Sequence, residues 1–63
     1  MTEYVISVNS PAAAKSYFSS RGGYTFDLNR AKVFDTYEEA AEQFIVLAGA
    51  NTAVARWGQV EEA

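Results

Sequence analysis

The sequence predicts a small two-layer α+β domain, in which one α-helix packs on one face of an antiparallel β-sheet of three to four strands. Three observations predict it: an alternating run near the N-terminus, two aromatic-rich runs around a Gly-Gly pair, and one long segment with helical periodicity. The expected element order is β-β-β-(β)-α-β. At this length we expect residues 1–63 to form a single domain.

The first strand is predicted over residues 3–9, where two sets of side chains alternate, Tyr4, Ile6 and Val8 on one face and Val5, Ser7 and Asn9 on the other. This is the period of a half-buried strand. Ser10-Pro11 ends it, because proline lacks an N–H and restricts the residue before it.

A hairpin is predicted next, because residues 16–20 and 24–28 are two aromatic-rich runs that flank Arg21-Gly22-Gly23. Glycine pairs supply the positive φ that tight turns require. The side chains expected to point inward are Tyr17 or Phe18 on the first arm and Tyr24, Phe26 and Leu28 on the second. A turn over residues 27–30 and an extended segment over residues 31–34 then lead into the helix.

The helix is predicted to begin at Thr36, which can form a capping box with Glu39, and to end in a left-handed residue at Gly49 or Asn51. At about 100° per residue, the core-facing side chains are Tyr37, Ala40, Ala41, Phe44, Leu47 and Ala48. The alternation after the helix predicts a final strand over residues 52–60, interrupted at Gly58 as by a β-bulge.

Two residue types are missing from the composition: the chain has no cysteine and no histidine. Their absence excludes disulfides, thiolate metal sites, and Ser-His or Cys-His nucleophiles. We therefore expect no catalytic residue, no metal site and no cofactor, in a protein that is not an enzyme.

Neither a secretory leader nor an apolar run of about 18 residues is present, so we expect a cytoplasmic protein that does not enter a membrane.

The first candidate site is the acidic face of the helix, because the basic residues fall mostly from Lys15 to Lys32 and the acidic ones mostly from Asp35 onward. Carboxylates in a row can imitate nucleic-acid phosphates and occupy a basic groove on another protein. The alternative for the carboxylates is a solvated face, on which acidic side chains near the N-terminus stabilise the helix. The alternative for the tryptophan is a place in the core. The predicted protein-binding residues are Asp35, Glu38, Glu39, Glu42, Val46 and Trp57.

The second candidate site is the hairpin, where cations and aromatic rings interleave at Lys15, Tyr17, Arg21 and Tyr24. Single-stranded nucleic acid is bound in this way, because bases stack on rings and phosphates meet cations. The same rings can instead serve the core. The formal net charge of −3 opposes nucleic-acid binding, so this is the alternative function and nucleic acid is the less favoured partner.

Three stretches together resemble small accessory proteins encoded by bacteriophages: Tyr4-Val-Ile-Ser, Tyr17-Phe-Ser-Ser and the run from Gly22 to Ala41. Their shared pattern is an aromatic Gly-Gly hairpin, then Asp-Leu-x-x-Ala-x-Val-Phe, then a Thr-x-Glu-Glu-Ala helix start. The resemblance implies a phage or prophage origin and a protein that binds and blocks a host protein, in defence or transcription machinery. It assigns no functional residue.

A homodimer is also expected from the composition. So short a chain cannot bury all of its apolar surface, and 49% of its residues are hydrophobic, so a second copy could cover what stays exposed.

Overall fold

The computed structural model describes residues 2–63, and the predicted α+β class is confirmed. One antiparallel sheet has the strand order β3-β2-β1-β4, and two helices accompany it. The elements in chain order are β1 (Tyr4–Val8), β2 (Ser16–Phe18), β3 (Tyr24–Thr25), a 3₁₀ turn (Leu28–Arg30), α1 (Tyr37–Ala50), α2 (Thr52–Trp57) and β4 (Gly58–Glu62).

Strand β1 lies at the centre of the sheet, between β2 and β4. Its residue Ile6 lies opposite Val60 and belongs to the core under the helices, whereas Ser7 points to the other face, opposite Tyr17 and Gln59. The four residues from Val5 to Val8 are all buried, so the strand is more deeply enclosed than its alternation predicts.

Strands β2 and β3 form the predicted hairpin, with Gly22 at a φ of 90° in its turn. The first arm buries Phe18 as expected. The inward orientation predicted for the second arm is wrong, because Tyr24, Phe26 and Leu28 are all exposed. The chain leaves the sheet after two residues of β3: Thr25 Oγ1 accepts from the Asp27 N–H at 3.1 Å, and Asp27 Oδ1 accepts from the Asn29 N–H at 2.9 Å.

Residues 31–34, here called the linking segment, are extended as predicted and are tied to two strands. The Lys32 N–H donates to the Phe18 carbonyl at 2.8 Å, and Tyr4 and Phe34 exchange two backbone hydrogen bonds of 2.8 and 2.9 Å. The Phe34 side chain is buried in the same core cluster as Ala40 of α1. These contacts fix the linking segment against the sheet and set the start of α1.

Helix α1 begins after Thr36 as predicted, because Thr36 Oγ1 accepts from the Glu39 N–H at 3.2 Å. The reciprocal half of the predicted capping box, from the Thr36 N–H to the Glu39 carboxylate, is absent among the described hydrogen bonds. Its core-facing side contains Ala40, Ala41, Phe44, Leu47 and Ala48, which are buried or half-buried. The burial predicted for Tyr37 is wrong. This first helical residue packs edge-to-face on Tyr4, with ring centroids 5.8 Å apart, and the rest of its side chain faces solvent.

The strand predicted over residues 52–60 is wrong for its first six residues, which form α2. Asn51 connects the helices: its N–H donates to the Leu47 carbonyl at 2.8 Å, and its Oδ1 accepts from the Ala53 N–H at 2.9 Å. Its φ of −139° is extended, and Gly49 lies inside α1, so neither residue closes α1 in the left-handed conformation. An asparagine cap before alanines favours helix over strand.

Candidate functional site

A groove lies between the linking segment and one side of α1. Residues 39, 42, 43 and 46 share that side of the helix because they are three or four positions apart. We call it the acidic groove, and its lining residues are Lys32, Val33, Phe34, Asp35, Glu39, Glu42, Gln43 and Val46.

The acidic groove carries three exposed carboxylates and one cation. Among residues 2–63, no lysine or arginine nitrogen lies within 4.0 Å of Asp35, Glu39 or Glu42. The Lys32 ammonium lies 5.4 Å from the centroid of the Phe34 ring. The groove is therefore negatively charged, and its carboxylates can accept hydrogen bonds from a cationic group of another molecule.

Exposed apolar side chains accompany these carboxylates. Val33 and Val46 line the acidic groove, and the side chain of Val46 is 65% exposed. Ile45, which sequence reasoning left unassigned, is 70% exposed. Its position three residues after Glu42 places it on the acidic side of the helix, and this spacing is the signal that could have identified it. The surface thus combines negative charge with apolar area.

The structure brings together four of the six predicted protein-binding residues: Asp35, Glu39, Glu42 and Val46. Glu38 is exposed on α1 but does not line the acidic groove. Trp57 lies at the end of α2, half-buried, with the Arg56 guanidinium 5.0 Å from its ring centroid. It is therefore not grouped with the carboxylates as an apolar anchor.

A second concavity lies at the hairpin and includes two predicted nucleic-acid-binding residues, Arg21 and Tyr24, together with Arg30. The Arg30 Nε lies 3.8 Å from Asp27 Oδ2, and both side chains are well exposed. Tyr24 packs edge-to-face on Phe18 with ring centroids 6.0 Å apart. We call this site the basic concavity, and its lining residues are Ser19, Ser20, Arg21, Tyr24, Thr25, Asn29, Arg30 and Ala31.

The other two predicted nucleic-acid-binding residues, Lys15 and Tyr17, do not line the basic concavity. Lys15 Nζ lies 2.8 Å from Glu61 Oε1 of β4 and 5.7 Å from the Tyr17 ring centroid. The hydrogen bond to Glu61 raises the pKa of the Lys15 ammonium above its usual value, against a smaller opposing effect of desolvation. The predicted set is therefore divided, and one of its cations is paired within the chain.

The Lys15–Glu61 pair predicts a loss of stability at alkaline pH. The pKa of Lys15 is higher in the folded chain than in the unfolded one. The pair therefore makes its full contribution to stability below the unfolded-state pKa of about 10.4, and this contribution is lost as the pH rises through the folded-state pKa. We expect the free energy of unfolding, measured by urea titration at increasing alkaline pH, to fall more steeply for the wild type than for Lys15→Met. Parallel curves would contradict this coupling.

No protein-family model, curated protein or solved structure matches the chain. The helices that the structure describes are too short or too polar to cross a membrane. Within residues 2–63, no group of three or more acidic, histidine or cysteine side chains is arranged to hold a metal ion.

Proposed function

We propose that the chain is a non-enzymatic binding protein that docks a cationic segment of another protein in the acidic groove and so blocks that protein. The observation that supports the proposal best is the gathering of Asp35, Glu39 and Glu42 in one groove without a salt-bridge partner among the described residues. The resemblance to phage accessory proteins makes the proposed target a host protein of the defence or transcription machinery.

The chemistry of the acidic groove suits an arginine- or lysine-containing segment. A guanidinium group presents a fork of N–H donors that matches a carboxylate, and the groove offers three carboxylates to such a segment. Exposed charges of this kind contribute mainly to association rate and specificity. Affinity therefore needs apolar contact as well, which Val33 and Val46 can supply from within the groove.

Nucleic-acid binding is the second candidate function, favoured by the placement of Arg21, Tyr24 and Arg30 around the basic concavity. Two further observations count against it. The formal net charge is −3, and Lys15 is paired with Glu61. A phosphate chain would meet two arginines here, one of them beside Asp27, and one partly exposed ring, which is a small contact for a binding mode that depends on many phosphate contacts.

The test is a pull-down of the tagged chain from a bacterial lysate at moderate salt, with and without nuclease. The variant Glu39→Lys/Glu42→Lys reverses two charges in the acidic groove. Its matched control is Glu3→Lys/Glu62→Lys, which changes the net charge equally at exposed positions outside the groove. We expect a host protein to be retained after nuclease by the wild type and the control, and reduced about tenfold or more with the groove variant.

Equal recovery with both double variants would overturn the role of the acidic groove. Recovery that disappears with nuclease, and with Arg21→Glu/Arg30→Glu, would instead support the nucleic-acid function. Circular dichroism of each variant confirms that reduced recovery reflects the charge change rather than unfolding.

A further inference from the structure

The acidic groove and the basic concavity are neighbours on the surface of one chain. Consecutive residues line both: Arg30 and Ala31 line the basic concavity, and residues 32–35 line the acidic groove. The backbone at this boundary is held by the antiparallel bridge between Ser19 and Ala31 and by the hydrogen bond from Lys32 to Phe18. The fold therefore fixes the placement of the two oppositely charged concavities relative to each other.

Adjacent patches of opposite charge are self-complementary under two-fold symmetry. In such a dimer each patch meets the other patch of the partner copy, so that every contact occurs twice. Here Arg21 and Arg30 of one copy would face the groove carboxylates of the other. We propose that the chain forms a two-fold homodimer, in which the basic concavity of each copy docks on the acidic groove of its partner.

The exposed apolar side chains favour a second copy as the occupant of these surfaces. Val33 lies next to the boundary between the two concavities, Tyr24 lines one of them and Val46 the other, and all three are exposed. Phe26 and Leu28 are exposed in the chain between β3 and the lining residue Asn29. Covering these side chains by dimerisation would remove apolar surface from water.

A standard dimer interface would need only a modest part of the exposed surface. A standard interface buries about 800 Å² on each partner and involves roughly 20–30 residues a side. The chain exposes 4279 Å², so such an interface would cover about a fifth of it. The two concavities have 16 lining residues, of which all but the buried Ala31 and Phe34 are available for contact.

Dimerisation does not rest on the proposed host-protein function, because both complementary patches belong to this chain. It would nevertheless compete with that function, since a second copy and a host segment would occupy the same acidic groove. The groove would then be free for a host protein only in the monomer.

The test is a charge exchange between two variants of the purified protein, followed by sedimentation velocity. Variant A is Glu39→Lys/Glu42→Lys, and variant B is Arg21→Glu/Arg30→Glu. Each variant alone places like charges in both contacts, so we expect its association constant for dimerisation to fall about tenfold or more. An equimolar mixture of A and B restores opposite charges in both contacts and should dimerise like the wild type. A single chain carrying all four substitutions should do so too.

Several outcomes would overturn the proposal: a monomeric wild type at all concentrations tested, variants that dimerise as well as the wild type, or a mixture that stays monomeric while the wild type dimerises. Oligomers that grow beyond two copies would show an open head-to-tail contact instead, and a complex that absorbs at 260 nm would show nucleic acid in the basic concavity. Circular dichroism of each variant excludes unfolding. A host protein recovered by a purely monomeric chain would contradict the dimer and leave the proposed function standing.

Discussion

Replacing Gly58 with alanine is expected to lower the free energy of unfolding by about 3 kcal/mol. The added Cβ would lie 2.5 Å from the Val54 carbonyl oxygen and 2.8 Å from Phe44 Cε1. The carbonyl cannot easily move away, because it accepts the N–H of Gly58 where α2 ends. Relief of the clash requires α2 and β4 to separate, and this disrupts the packing around the fully buried Val54.

The matched control is Gly49→Ala, because Gly49 lies inside α1 and a Cβ there would meet no atom within 4 Å. Alanine is favoured over glycine in a helix, so this variant should gain about 0.5–1 kcal/mol in the free energy of unfolding. Urea denaturation followed by circular dichroism measures both changes. Equal stability of the two variants would contradict the close approach at Gly58.

Replacing Phe34 with alanine is expected to cost about 3–5 kcal/mol, the range for truncating a buried aromatic side chain. Phe34 is 5% exposed and packs in one cluster with Ile6, Phe18 and Ala40. A domain of this size has a total stability of roughly 3–9 kcal/mol, so the variant should lose a third or more of it. The loss should also disorganise the acidic groove, because Phe34 holds the linking segment against the sheet.

Phe26→Ala is the control for this prediction, since it removes the same atoms from a side chain that is 72% exposed. We expect its free energy of unfolding, measured at a concentration where the chain is monomeric, to change by less than about 0.5 kcal/mol. A comparable loss in both variants would show that the hairpin aromatic contributes to the core as much as the linking segment does.

Much of the fold could be predicted from the sequence because several of its signals are local. The cap at Thr36 requires only a threonine hydroxyl that reaches the backbone N–H three residues later, and the Gly22-Gly23 turn requires only positive φ at one glycine. Residues 52–57 are ambiguous, because their short alternating run fits a strand as well as a short helix and Asn51 can either end α1 or cap a second helix. The cap at Asn51 decides between them.

The candidate site was only partly predictable, for a different physical reason. Sequence spacing along α1 places Glu39, Glu42 and Val46 on connected faces, and the structure does bring them together. Val33 lines the acidic groove and Arg30 lines the basic concavity because of the path that the chain takes between the hairpin and α1. No sequence periodicity encodes that path. The surroundings of Trp57 were not predictable, because they depend on α2, an element that the alternation did not indicate.

The most direct test of the proposed function is to map the contact by nuclear magnetic resonance, with the isotope-labelled chain titrated with the host protein recovered in the pull-down. Shift changes centred on residues 32–35 and on Glu39, Glu42 and Val46 are the expected result. Changes confined to Arg21, Tyr24 and Arg30, with the acidic groove unperturbed, would contradict the proposal that this groove binds the partner.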